Sequence, residues 1–89
     1  MGIRKVIQTK KMKKKILICG AGGFIGGHLA SRFLKENKYD LVCADVKPKE
    51  YWFQIFDEAE NHSLDLKEYE NTSKVTKNVD YIFNFACNM

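Results

Sequence analysis

The sequence predicts an α/β domain: a parallel sheet with helices on both faces. Three observations point there. A short apolar run, Ile16-Leu17-Ile18-Cys19, leads straight into a glycine turn, Gly20-Ala21-Gly22-Gly23, and then into a helical pattern. An acidic residue, Asp45, stands 19 residues after Gly26 and closes the next apolar run, Leu41-Val42-Cys43-Ala44. Strand-like and helical segments then alternate as β-α-β-crossover-β-α-β, which places parallel strands side by side through right-handed crossovers.

The first strand is expected over residues 15–21. It is apolar in succession rather than alternating, as in a parallel strand buried on both sides. The first helix is expected over residues 24–37, with Ile25, Leu29 and Phe33 four apart and Leu34 closing the same face. Gly27 inside it costs about 0.5–1 kcal/mol against alanine, which points to close packing, cofactor approach or plain tolerance. The second strand is expected over residues 40–46, and Pro48 then breaks regular structure. Residues 47–61 carry an aromatic cluster, Tyr51, Trp52, Phe53, Ile55 and Phe56, followed by Asp57, Glu58 and Glu60. This segment reads either as a crossover packing its aromatics on the sheet or as a lid or partner contact. A short third strand is expected over residues 62–66, a second helix over 67–77 and a strongly β-forming fourth strand over 79–87. The strand order is then 3-2-1-4, the first half of a Rossmann-type sheet, and ligands of such sheets lie beyond the carboxyl ends of the strands.

At 89 residues the chain holds one small domain. Its apolar share of 45% suits a packed core rather than disorder. A whole Rossmann-type domain uses two such halves. The sequence also stops at Met89 directly after an apolar run. Residues 15–89 are therefore read as the N-terminal half of a nucleotide-binding domain from a longer protein. Alone, it leaves a sheet edge and a sheet face uncovered.

The net charge of +4 belongs to the start of the chain. Residues 1–15 carry seven basic groups and no acid, whereas the other 74 carry eight basic and eleven acidic groups. Residues 1–14 read as a solvated, disordered basic leader. No aromatic residue interleaves those lysines to stack bases, so no nucleic-acid partner is expected. Only four apolar residues separate the leader from Gly20, too few for a signal peptide or a membrane span. Cys19, Cys43 and Cys87 are placed at strand ends. Their odd number, and the lack of any C-x-x-C, argue against disulfides and zinc. Inert thiols in a reducing, cytoplasmic setting are expected.

The glycines have separate tasks. Gly20 allows the tight turn out of the strand. Gly22 or Gly23 lets a pyrophosphate reach backbone N–H groups, and Gly26 lets the helix pack close. The helix start offers unpaired N–H groups and roughly half a unit of positive charge to the phosphates. Asp45 is the expected partner of a ribose hydroxyl pair. Asp65, between Leu64 and Leu66, either reaches the adenine amino group or caps the next helix. His28, on the first helical turn, is an exposed helix residue or a phosphate contact.

With the phasing Gly20, Gly23, Gly26, the turn resembles the extended short-chain dehydrogenase/reductase superfamily, which includes sugar-nucleotide epimerases and dehydratases. Gly-Ala-Gly-Gly-Phe-Ile-Gly-Gly-His-Leu-Ala at 20–30, Leu-Asp-Leu at 64–66 and the last twenty residues are similar to the GDP-mannose 3,5-epimerase family. Asn84 carries much of that likeness, since most other extended members have histidine there. Gly27, Cys87 and Asn88 depart from the pattern, and the aromatic segment 51–56 has no clear counterpart.

The resemblance implies NAD, held by Gly20, Gly22, Gly23, Gly26, Asp45, Asp65 and Leu66. Phe24 and Ile25 would donate N–H groups to the pyrophosphate, and Ala86 would lie near the nicotinamide ribose. It further implies a GDP-sugar substrate, a homodimer, and transient oxidation of a sugar carbon. Oxidation makes the neighbouring C–H acidic enough to invert. The family's Tyr-x-x-x-Lys pair is not within these residues. Tyr39, Tyr51, Tyr69 and Tyr81 are followed at that offset by Cys43, Ile55, Ser73 and Phe85. The expected catalytic residues of this stretch are therefore none. A non-catalytic NAD-binding regulator, another extended-family dehydratase or 4-epimerase, and a ligand-free remnant remain as alternatives. Asp45 favours NAD over NADP by repelling a 2′-phosphate, with Lys47 and Lys49 acting weakly the other way.

Overall fold

The computed structural model describes residues 13–86. The expectations for residues 1–12 of the leader and for Cys87 fall outside the described residues, while Lys14, expected in the disordered leader, begins β1 because it pairs with Tyr39. The elements are β1 (Lys14–Cys19), α1 (Phe24–Glu36), β2 (Tyr39–Asp45), β3 (Glu60–Ser63), α2 (Tyr69–Thr76) and β4 (Tyr81–Asn84). A single 3-10 turn, Lys49–Tyr51, lies between β2 and β3. The sheet order is β3-β2-β1-β4 and every pairing is parallel, as the sequence predicts.

The unbroken apolar run of β1 has a direct cause. Ile16 and Ile18 face Leu41, Cys43, Ala30 and Trp52 on one side of the sheet. Leu17 and Cys19 face Val42, Ala44 and Val75 on the other. Both faces are covered, so neither parity of side chain meets water. Each fully buried aliphatic side chain contributes about 1.5–3 kcal/mol.

Helix α1 packs differently from its expected stripe. Its buried residues are Gly26, Gly27 and Ala30, with Leu29, Phe33 and Leu34 half-buried beside them. Ile25 is 62% exposed, because the buried face runs through Gly26, Gly27 and Ala30, and at 3.6 residues per turn Ile25 points away from it. The helix ends as expected at Asn37, which adopts a left-handed conformation (φ 54°) and donates its N–H to the Leu34 carbonyl.

Several boundaries differ from expectation, β2 among them, which is shifted by one residue to Tyr39–Asp45. β1 ends at Cys19, because the chain turns at Gly20, which has φ +85° and whose carbonyl accepts the Gly23 N–H at 3.1 Å. β3 is the polar stretch Glu60–Ser63 rather than residues 62–66. Its place is fixed by backbone pairing with Val42–Asp45, while Leu64 and Leu66 lie past its end and pack on the α2-side core. α2 starts at Tyr69 because residues 65–68 form a turn, in which Asp65 Oδ1 accepts the Lys67 N–H at 2.9 Å. β4 pairs only over Tyr81–Asn84, and all four of its residues are exposed. Cys19 does end a strand, but Cys43 lies within β2. No helix among the described residues is long and apolar enough to cross a membrane.

Candidate functional site

The register brings three strand ends together. Cys19 pairs with Ala44 on one side and with Asn84 on the other. Gly20, Asp45 and Phe85-Ala86 therefore leave the sheet at the same edge. A cavity of about 720 Å³ opens there, on the α2 side. Gly20, Gly23, Asp45, Asp65, Leu66 and Ala86 line it. Gly22 and Gly26 are buried in the turn, and Phe24 and Ile25 are exposed at the start of α1.

Two glycines are required by geometry. Gly20 has φ +85°, and a Cβ there would come within 2.7 Å of the Ala86 nitrogen. Only glycine takes that conformation without strain. A Cβ on Gly26 would run into the Gly20 carbonyl oxygen, so α1 packs directly on the turn. Gly27 is another matter. Its Cβ would meet Gln54 at 3.5 Å, an ordinary contact, so plain tolerance explains it.

Asp45 ties β2 to the glycine turn. Its Oδ2 accepts the Gly22 N–H at 2.8 Å, and its Oδ1 accepts the Lys47 N–H at 3.0 Å. An ionised carboxylate has about four acceptor positions, so capacity remains for a pair of hydroxyl donors. It is Gly23, rather than Gly22, that borders the cavity, because Gly22 is enclosed by Trp52 and Asp45. The first bond inside α1 runs from Gly27 N–H to Gly23 O at 2.9 Å. The N–H groups of Phe24, Ile25 and Gly26 precede it, and no side chain caps the helix. Unpaired donors beside a glycine turn suit an anionic group. A dinucleotide thus fits the residues present: donors for its diphosphate, a carboxylate for its ribose and a cavity at the strand ends.

The aromatic segment proves to be a crossover packed on the sheet. Trp52 is buried against the α1-side core and Phe56 is half-buried beside it, while Tyr51 and Phe53 stay exposed. The Trp52 indole donates to the Lys47 carbonyl at 2.7 Å, the Ser63 hydroxyl donates to the same oxygen at 3.0 Å, and the Phe53 N–H donates to Gly22 O at 2.8 Å. The sequence offered one clue to this. A buried indole needs an acceptor for its N–H.

Asp65 lines the cavity but does not cap α2, whose cap position is Glu68 without a side-chain bond. His28 lies edge-on to Phe24, with ring centroids 4.4 Å apart, and does not line the cavity. Burial raises the thiol pKa of Cys19 and pushes that of Cys43 up to about 12. Both stay protonated, which makes them poor nucleophiles. No cluster of metal-ligating side chains occurs among the described residues.

The model of the NAD dependent epimerase/dehydratase family matches residues 16–88. The chain belongs to that family. It is 42% identical over 77 residues to GDP-mannose 3,5-epimerase 1 of Oryza sativa subsp. indica, covering 86% of this chain and 20% of the relative. It is 43% identical over 75 residues to GDP-mannose 3,5-epimerase of Arabidopsis thaliana, with 84% and 20% covered. The chain thus spans about a fifth of the length of these curated relatives. Among solved structures, UDP-glucuronic acid 4-epimerase from Bacillus cereus, in complex with UDP-glucuronic acid and NAD, superposes with a TM-score of 0.67 at 26% identity. That match covers 81% of this chain and 26% of the other. NAD is the cofactor of the family by its description, and that neighbour holds it.

Proposed function

We propose that residues 15–89 are the N-terminal half of the NAD-binding domain of a sugar-nucleotide epimerase, of the GDP-mannose 3,5-epimerase kind. The observation that carries this is the Asp45 carboxylate, bonded to the glycine turn at the mouth of the strand-end cavity. The N–H groups of Phe24 and Ile25 hold the diphosphate. Asp45 accepts from the adenosine ribose hydroxyls, Asp65 meets the adenine amino group beside Leu66, and Ala86 borders the nicotinamide ribose. NAD, when bound, accepts a hydride from a sugar carbon and returns it. These residues orient the cofactor, and the acid/base groups lie elsewhere in the intact enzyme. Identity above 40% to two GDP-mannose epimerases supports a GDP-sugar over a UDP-sugar. A cytoplasmic homodimer, without nucleic-acid or membrane partners, completes the reading.

Calorimetric titration of the intact protein tests it. Saturable NAD binding with weaker NADP binding is expected, and Asp45→Ala should lower NAD affinity by roughly tenfold while relaxing discrimination against NADP. Equal affinity of the unmutated protein for both cofactors would overturn the role given to Asp45.

A further inference from the structure

Asp45 does not hold its own position. Its Oδ1 accepts the N–H of Lys47, and Lys47 is in turn held on its far side through its carbonyl. Two donors converge on that oxygen, the Trp52 indole at 2.7 Å and the Ser63 hydroxyl at 3.0 Å. The same tryptophan lies against the opposite side of the carboxylate's cage. A Cβ on Gly22 would stand 2.8 Å from the indole ring and 2.9 Å from Asp45 Oδ2. The neighbouring Phe53 N–H holds the Gly22 carbonyl at 2.8 Å. Trp52 thus bonds the carbonyl of Lys47, whose own N–H donates to Oδ1, and lies beside Gly22, whose N–H donates to Oδ2. It is 8% exposed, so neither its ring nor its N–H is free to move into water.

We infer that Trp52 is a positioning residue for the nucleotide site, clamping the two backbone donors that aim the Asp45 carboxylate at a ribose diol. The inference rests on the NAD-binding reading above and extends it to a residue that lies outside the cavity lining. The physical reason is pre-organisation. A carboxylate whose rotamer is held before the ligand arrives loses little freedom on binding, whereas a free one must be ordered at that moment. Trp52 acts only through Asp45, so its effect on cofactor should vanish when Asp45 is gone.

A double-mutant cycle on NAD affinity, measured by calorimetry in the intact protein, tests this. Trp52→Phe keeps an aromatic ring and removes the indole donor. It should weaken NAD binding by roughly three- to tenfold, the range of one hydrogen bond. Asp45→Ala alone should weaken it at least as much, and adding Trp52→Phe to it should change affinity by less than about twofold. Losses that multiply in the double variant would overturn the inference, because they describe a tryptophan that supports the fold independently of the carboxylate. Ser63→Ala, an exposed site, removes the second donor to the same carbonyl. Paired with Asp45→Ala in the same way, it decides the question if Trp52→Phe does not fold: coupling supports the clamp and multiplied losses overturn it. Absence of NAD binding by the unmutated protein would overturn the nucleotide reading and this one together.

Discussion

The two faces of the sheet are finished to different degrees. On the α1 side, a helix of 13 residues and the Trp52 crossover cover Ile16, Ile18, Leu41 and Cys43. On the α2 side, a helix of eight residues contributes a single buried side chain, Val75, over Leu17, Val42 and Ala44. The cavity lies on this second side, between Leu17, Cys19, Leu64, Leu66 and Ile82. The closed face holds the glycine turn rigid from behind, and the open face leaves the cavity. A site of this kind needs both: one side packed without slack and the other left unfilled.

The sharpest way to break the closed face is Gly26→Ala. The added methyl meets the Gly20 carbonyl and would stand 3.0 Å from the Ala21 Cα, both backbone positions that cannot give way cheaply. A loss of about 3–5 kcal/mol or failure to fold is expected, read by denaturant unfolding. An unfolding midpoint equal to that of the unmutated protein would show that α1 is not seated on the turn. On the open face, Val75→Ala should cost about 1–3 kcal/mol, since it removes the lone buried contact of α2. NAD affinity should fall with it, because α2 stands beside the cavity wall at Thr72. A neutral Val75→Ala would mean that α2 adds nothing to the second core. The smallest effect belongs to Gly27→Ala, one residue along from Gly26. With Gln54 at an ordinary 3.5 Å, the methyl fits, and stability should rise by about 0.5–1 kcal/mol. Thermal unfolding that shows a clear loss instead would place a tighter contact behind α1 than the one Gln54 makes.

What the residues disclosed in advance follows the same division. β1, the glycine turn and Asp45 were legible because their constraints are local: an apolar run buried on both faces, a turn that excludes side chains, and a spacing. The strand order followed from the alternation of elements. The location of β3 was not legible, because Glu60-Asn61-His62-Ser63 has no strand signal of its own and is placed by pairing with β2. Leu64 and Leu66 drew the expected strand toward themselves, although they serve the α2-side core. The exposure of Ile25 was hidden for a similar reason. The spacing of Ile25, Leu29 and Phe33 marks one face of the helix, but the small residues Gly26, Gly27 and Ala30 are the ones set against the sheet and turn. Trp52 could be seen to need burial, yet its approach to Gly22 joins residues 30 apart in sequence and emerges only in three dimensions.

β1 is central in the sheet but comes first among the four strands, and Lys15 bonds with Asp80 across a separation of 65 residues. During synthesis at about 5–20 residues per second, the glycine-bearing strand waits several seconds with one edge unpaired. The turn at Gly20 takes its final neighbours, Phe85 and Ala86, only when the fourth strand arrives. The strand-end cavity is therefore completed by β4 well after β1 has been made, and a ligand present during translation could meet the finished cavity only after residue 86 has left the ribosome.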